Sequence, residues 1–334
     1  MRRTLLLAAA LVACLPAPFS YEAHAGQGAA GKSRITIASG VRLRGEPDTK
    51  AEEVGRLQLG VVVEEIERSA AKARVGEAED YWYMVAAPGG ARGWVFGALT
   101  EAFDPASRGE VYRRLASARV ANAEAKFAEL ADLVKFTTRA LKEVTTRADV
   151  AELELLRLQA LARSLASVEM TELEKEPYRS WVKGHDAEIV YSEPAGQWYV
   201  NSDVLWRLRE KYKDLPVAER IAWEAASTPL PGECEGYVPC YLYKETLTNG
   251  RYLELYPQGE HAAAALGNVT EWLGTLEDDV KSDGRADYEM PKGKEDRDEF
   301  NKSLAAFRAQ LAPVRHPLAA QILRRLVELA RGVR

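Results

Sequence analysis

The amino-acid sequence predicts an α+β protein, with a small N-terminal β-barrel over residues 34–102 and a mainly α-helical domain over 109–334. Three observations carry this. Between Arg34 and Phe96, short runs of alternating or β-branched apolar residues are separated by Gly- and Pro-containing turns. From Gly109 onward the apolar residues recur at 3–4 spacing instead. The composition, 334 residues with 47% hydrophobic and 28% charged, is that of a globular chain and excludes a disordered, collagen-like or multi-span membrane protein. The net charge of -5 argues against a general nucleic-acid binder.

The first 25 residues read as a secretory signal. Arg2 and Arg3 are its basic start, residues 4–15 its apolar stretch, and Pro16 and Pro18 end any helix. Two cleavage sites compete. Ala23-His24-Ala25 fits the small-x-small rule, with cleavage before Gly26. Leu11-Val12-Ala13-Cys14 resembles a bacterial lipobox, in which Cys14 would carry a lipid and provide the sole membrane anchor. Either way the chain is expected to be exported, to the periplasm or the cell envelope. Cys234 and Cys240 are then the remaining cysteines, and an exported pair at this spacing predicts a disulfide, with two buried free thiols as the alternative. Residues 26–33, Gly- and Ala-rich, read as a flexible leader.

The β region follows. Arg34-Ile35-Thr36-Ile37 alternates, as do Val41 and Leu43 with Arg42 and Arg44; Gly45-Glu46-Pro47-Asp48 is a turn. Val54 and Leu57 lead to Gly60 and the run Val61-Val62-Val63, ending near Ile66. Residues 67–80, charged and Ala-rich, read as an exposed loop. Tyr81 to Val85 and Gly93 to Phe96 are two strands around Pro88-Gly89-Gly90. Short strands in such number imply a small barrel without open edges.

Three landmarks in this region resemble the bacterial SH3 family: Gly40-Val41-Arg42-Leu43-Arg44-Gly45-Glu46-Pro47, Val54-Gly55-Arg56-Leu57-Gln58-Leu59-Gly60, and Tyr81-Trp82-Tyr83-Met84-Val85 with Gly93-Trp94-Val95. The resemblance implies an SH3-like barrel that acts as a non-enzymatic recognition module, often for cell-wall peptides. The family usually packs the residues matching Trp82 and Trp94 inside, which leaves Tyr81, Tyr83 and Phe96 as the ligand-binding candidates. Planar rings suit a shallow groove because they give contact area at low entropy cost.

The helical part begins with a hairpin of two long helices over about 109–170. Val120, Ala123, Phe127, Leu130 and Val134 line the first, and Leu158, Leu161, Leu165 and Val168 the second, with Asp149 and Glu152 as a capping box. Residues 188–191 and 197–200 form a short hairpin around Pro194-Ala195-Gly196. Asn201 or Ser202 caps a helix through Trp206, and another follows Pro216. Pro239, just before Cys240, stands at the start of a further helix. The Tyr256-Pro257-Gln258-Gly259 link before the Ala-rich helix at 262–266 is similar to one helix pair of tetratricopeptide-type envelope proteins, which occurs once here. Residues 281–298 read as a loop, and Leu318, Ile322, Leu326 and Leu329 line the last helix after Pro317.

No nucleophile elbow, zinc motif or phosphate loop occurs in the sequence. His185-Asp186 reads as surface loop, and His261 and His316 have no metal-ligand partner at helical spacing. The expectation is therefore a protein without catalytic residues, metal or cofactor, which binds a cell-wall peptide or an envelope protein. A murein-targeted hydrolase with its active site in the helical domain is the alternative.

Overall fold

The computed structural model describes residues 32–281 and 288–332. The expected export signal, Cys14 and the expected leader up to residue 31 lie outside the described residues.

Nine strands come first: β1 Ser33–Thr36, β2 Val41–Arg44, β3 Glu53–Leu57, β4 Val62–Arg68, β5 Ala73–Val75, β6 Ala78–Asp80, β7 Trp82–Ala86, β8 Arg92–Phe96 and β9 Thr100–Phe103. Seven form one antiparallel sheet in the order β3-β2-β8-β7-β4-β1-β9. Alternation explains the inner face: Val41, Leu43, Val63, Val85 and Val95 are all buried in one cluster. The SH3-like sheet followed by a mainly helical region is as expected, and among the described residues no ladder joins β3 to β9 to close the sheet on itself. The β1–β9 edge meets helix instead. Arg114 pairs with Glu101, and Arg119 donates to the Ile37 carbonyl.

Residues 67–80 are also more ordered than expected. β5 and β6 form their own hairpin, with Arg74 opposite Glu79 and Gly76 at φ +61° in the turn.

The helices are α1 Arg108–Val120, α2 Phe127–Ala140, α3 Arg147–Ala166, α4 Tyr178–Lys183, α5 Ser202–Lys211, α6 Val217–Ser227, α7 Val238–Glu245, α8 Arg251–Leu255, α9 Ala262–Lys281, α10 Lys294–Leu311 and α11 Pro317–Gly332. The first predicted helix is two, because Asn122 accepts from the Glu124 amide and Glu129 from the Lys126 amide, so the chain turns between α1 and α2. The cap of α3 is Thr146, whose hydroxyl accepts from the Asp149 amide at 3.2 Å; Asp149 stands in the first turn. The expected hairpin forms as β10 Ile189–Ser192 and β11 Gln197–Val200, and Asn201 caps α5. The loop expected at 281–298 gives way to α10 from Lys294.

The inner face of the sheet keeps its own cluster, but one side of the sheet joins the helical core: Ile35, Leu59 and Phe103 belong to the same cluster as Tyr112, Phe136 and Leu155. Gly60 shows how close the two regions come. It stands between β3 and β4 at φ +74°, and the Phe136 ring of α2 occupies the place a Cβ would take.

Candidate ligand-binding site

The β7–β8 ladder sets which aromatics face where. Trp82 lies opposite Phe96, Tyr83 opposite Val95, Met84 opposite Trp94 and Val85 opposite Gly93. Opposed residues share a face. Val85 and Val95 are fully buried in the inner cluster, so Tyr83 shares their side and packs on it. Trp82, Met84, Trp94 and Phe96 share the other side. Gly93 lets β8 lie close to β2: a Cβ there would come within 2.9 Å of the Arg44 carbonyl and 3.2 Å of the Leu43 Cβ.

Trp94 therefore points away from the inner core and is half-buried, contrary to its expected core role. Trp82 is core as expected, at 4% exposure, but from the outer side. Phe96, a ligand-binding candidate, is also only 4% exposed, with its ring 5.5 Å from Trp82. What covers these two rings is the β5–β6 hairpin and the turn between β1 and β2, where Gly40 adopts φ +64°.

Between these elements lies a pocket of about 200 Å³, with Trp82, Phe96, Val75 and Ala38 among its lining. Ser39, Arg42, Arg44 and Thr49 supply its polar groups. The Trp82 Nε1 and the Ser39 Oγ are both shielded from solvent and have no hydrogen-bond partner. An unpaired buried polar group costs about 1–3 kcal/mol, so native proteins keep few of them. None of the eleven lining residues is Asp or Glu. Arg42 pairs with Glu53 at 3.2 Å and Arg44 donates to the Ala51 carbonyl at 2.7 Å, which holds both near the pocket. The Arg56 hydrogen bond, aided by the charges of Arg42 and Arg44, holds the Glu53 carboxyl below the usual carboxylate range.

The three sequence candidates do not converge. Phe96 lines this pocket. Tyr83 lines a different cleft, of about 550 Å³, where the Arg34 guanidinium lies 3.7 Å from its ring centroid. Arg34 is fixed there by Thr100 at 2.8 Å and Glu65 at 3.2 Å. Tyr81 is covered by Arg68 at 4.3 Å. Ser39, Arg42 and Arg44 escaped the sequence reading. Their one signal is the basic pair flanking Leu43 on the polar side of an alternating strand.

In the helical part, the His185 Nδ1 lies 2.8 Å from the Trp181 carbonyl, His261 stacks on Trp223 at 4.7 Å, and the His316 Nδ1 accepts from the Leu318 amide. Each ring thus has a packing or capping role. Among the described residues no group of three His, Cys, Asp or Glu side chains is placed to hold a metal ion. Cys234 and Cys240 form a disulfide, Cα atoms 5.5 Å apart, which ties the loop before α7 to the first turn of that helix.

Residues 39–101 match the family model of the bacterial SH3 domain. The match covers every residue of the pocket lining except Ala38, and it bears out the resemblance carried by the three sequence landmarks. No curated protein matches the chain.

Proposed function

We propose that this is an exported, non-enzymatic binding protein of the bacterial cell envelope, whose SH3-type region recognises a cell-wall peptide or an envelope protein. The observation that carries the reading is the pocket over Trp82 and Phe96, within the residues that match the SH3 family model. Its small volume and aromatic lining suit a small inserted group, and its polar groups would fix that group's orientation. The SH3 family match supports a recognition role, and the basic-apolar-small pattern of residues 1–25 supports export. The helical body would hold the domain in place or meet a second partner.

The test is co-sedimentation of the protein with purified murein sacculi, with a zymogram run beside it. Sedimentation that falls at least tenfold in Trp82→Phe, without clearing of the zymogram, is the expected result. Murein clearing would establish an enzyme and overturn the reading. So would sedimentation unchanged by Trp82→Phe.

A further inference from the structure

We infer that the Cys234–Cys240 disulfide is a redox-sensitive clasp. Closed, it holds the chain that leads into α10; opened, it lets that chain go while the rest of the fold stands. The device is independent of the recognition reading of the SH3-type region.

The docking edge lies inside the disulfide loop. The Glu289 amide donates to the Gly236 carbonyl at 2.8 Å, and the Val238 amide donates to the Glu289 carbonyl at 3.0 Å. Together they make one isolated parallel bridge between Tyr237 and Glu289. Gly236, Tyr237 and Val238 all stand between the two cysteines, whose Cα atoms are 5.5 Å apart. Directly after Cys240, the Tyr241 ring meets the Tyr288 ring edge-on at 5.4 Å. The segment that enters α10 is thus fastened to the six residues that the disulfide frames.

The loop does not hold this shape by its own preferences. Glu235 has φ +46° and Gly236 φ +80°. A residue with a side chain stays in the left-handed region only where its surroundings fix it. The disulfide does so by removing most of the loop's freedom. Once it opens, the loop regains that freedom, and an isolated bridge of two hydrogen bonds has no neighbouring ladder to resist. The other holds on α10 do not pass through the loop. Phe300, Leu304, Phe307 and Leu311 are buried in the main core, and the Phe307 ring lies against Gly250. These contacts keep α10 seated, so the release is local.

Opening takes two electrons, which a dithiol supplies. Cys240 is half-buried and Cys234 only 6% exposed, so the incoming thiolate attacks the Cys240 sulfur. The Cys234 sulfur leaves as a thiolate and takes a proton. The second thiol of the reductant then attacks the mixed disulfide. The reductant departs as a disulfide, and the Cys240 thiolate takes the second proton.

The experiment measures amide hydrogen exchange on the folded full-length protein before and after dithiothreitol, with the redox state read by mass. Reduction without denaturant should speed exchange at Val238 and Glu289 about tenfold or more, while buried α3 amides such as those of Leu155 and Leu161 change by less than about twofold. Reoxidation should restore the first pattern. Cys234→Ala with Cys240→Ala should show the fast pattern without reductant; should that variant fail to fold, reduction of the unaltered chain still decides. Unchanged exchange at Val238 and Glu289 in the reduced protein would overturn the clasp. Loss of protection in α3 as well would make the disulfide a staple of the whole fold and overturn a local device. A disulfide that opens only in urea would overturn its redox sensitivity.

Discussion

Gly60→Ala tests whether the sheet and the helices share one core. Gly60 sits at φ +74°, where an L side chain costs about 1–2 kcal/mol. The added Cβ would lie within 3.0 Å of two Phe136 ring carbons. That ring cannot simply swing away: it is 1% exposed, and Tyr112 meets it edge-on at 5.4 Å. Forcing an extra carbon into such a place costs about 1–3 kcal/mol more. The whole change should therefore destabilise by about 3 kcal/mol, a large share of a domain's ~5–15 kcal/mol. Urea unfolding followed by circular dichroism and tryptophan fluorescence measures it. Repeating the change in a Phe136→Leu background separates the two parts. With the ring gone only the backbone cost of about 1–2 kcal/mol should remain, a coupling of about 1–3 kcal/mol between the β3–β4 turn and α2. A total cost below about 1 kcal/mol, or additive effects, would refute the shared core.

Three further outcomes follow from the packing. Trp82→Ala should destabilise by about 3–5 kcal/mol and half-buried Trp94→Ala by about 1–2, so thermal melts that rank them the other way would reverse the face assignment. Hydrogen bonding from Arg157 holds the Glu188 carboxyl below its ordinary range, so the folded state binds this proton less readily than the unfolded chain. That stabilisation is complete above about pH 5 and is lost as pH falls through the lowered folded value. Glu188→Gln should cost about 1 kcal/mol at pH 7 and flatten the acid side of the stability curve, and an unchanged acid limb would count against the pair. Unreduced protein should yield a peptide spanning Cys234 and Cys240 two hydrogens lighter than the dithiol form, and opening the bridge should cost about 2 kcal/mol; two thiols alkylated without reduction would refute it.

Local chemistry determines much of this protein before any tertiary contact forms. Alternation of apolar and polar residues marks most strands of the SH3-type sheet, and spacing of three and four marks the helices, because both report which side of a backbone repeat faces the core. Pro194-Ala195-Gly196, Asn201 and Pro239 act through their own backbone limits or side-chain hydrogen bonds, so the β10–β11 turn, the α5 cap and the α7 start are legible from the chain alone. The cysteine pair is legible for a related reason: six residues of separation keep the two close in almost any compact arrangement. What the sequence leaves open is anything set by pairing between distant strands. Alternation says that Trp82, Trp94 and Phe96 lie on one side or the other, but only the β7–β8 register, with Val85 and Val95 inward, assigns the side. Whether an outward ring is then buried depends on what folds over it. The β5–β6 hairpin and the Gly40 turn bury Trp82 and Phe96 and leave Trp94 half-exposed. The pocket itself joins Ser39, Arg42, Val75 and Trp82, residues up to 43 positions apart. No local spacing encodes such a meeting, because the unpaired donors arise only once the sheet has excluded water from them.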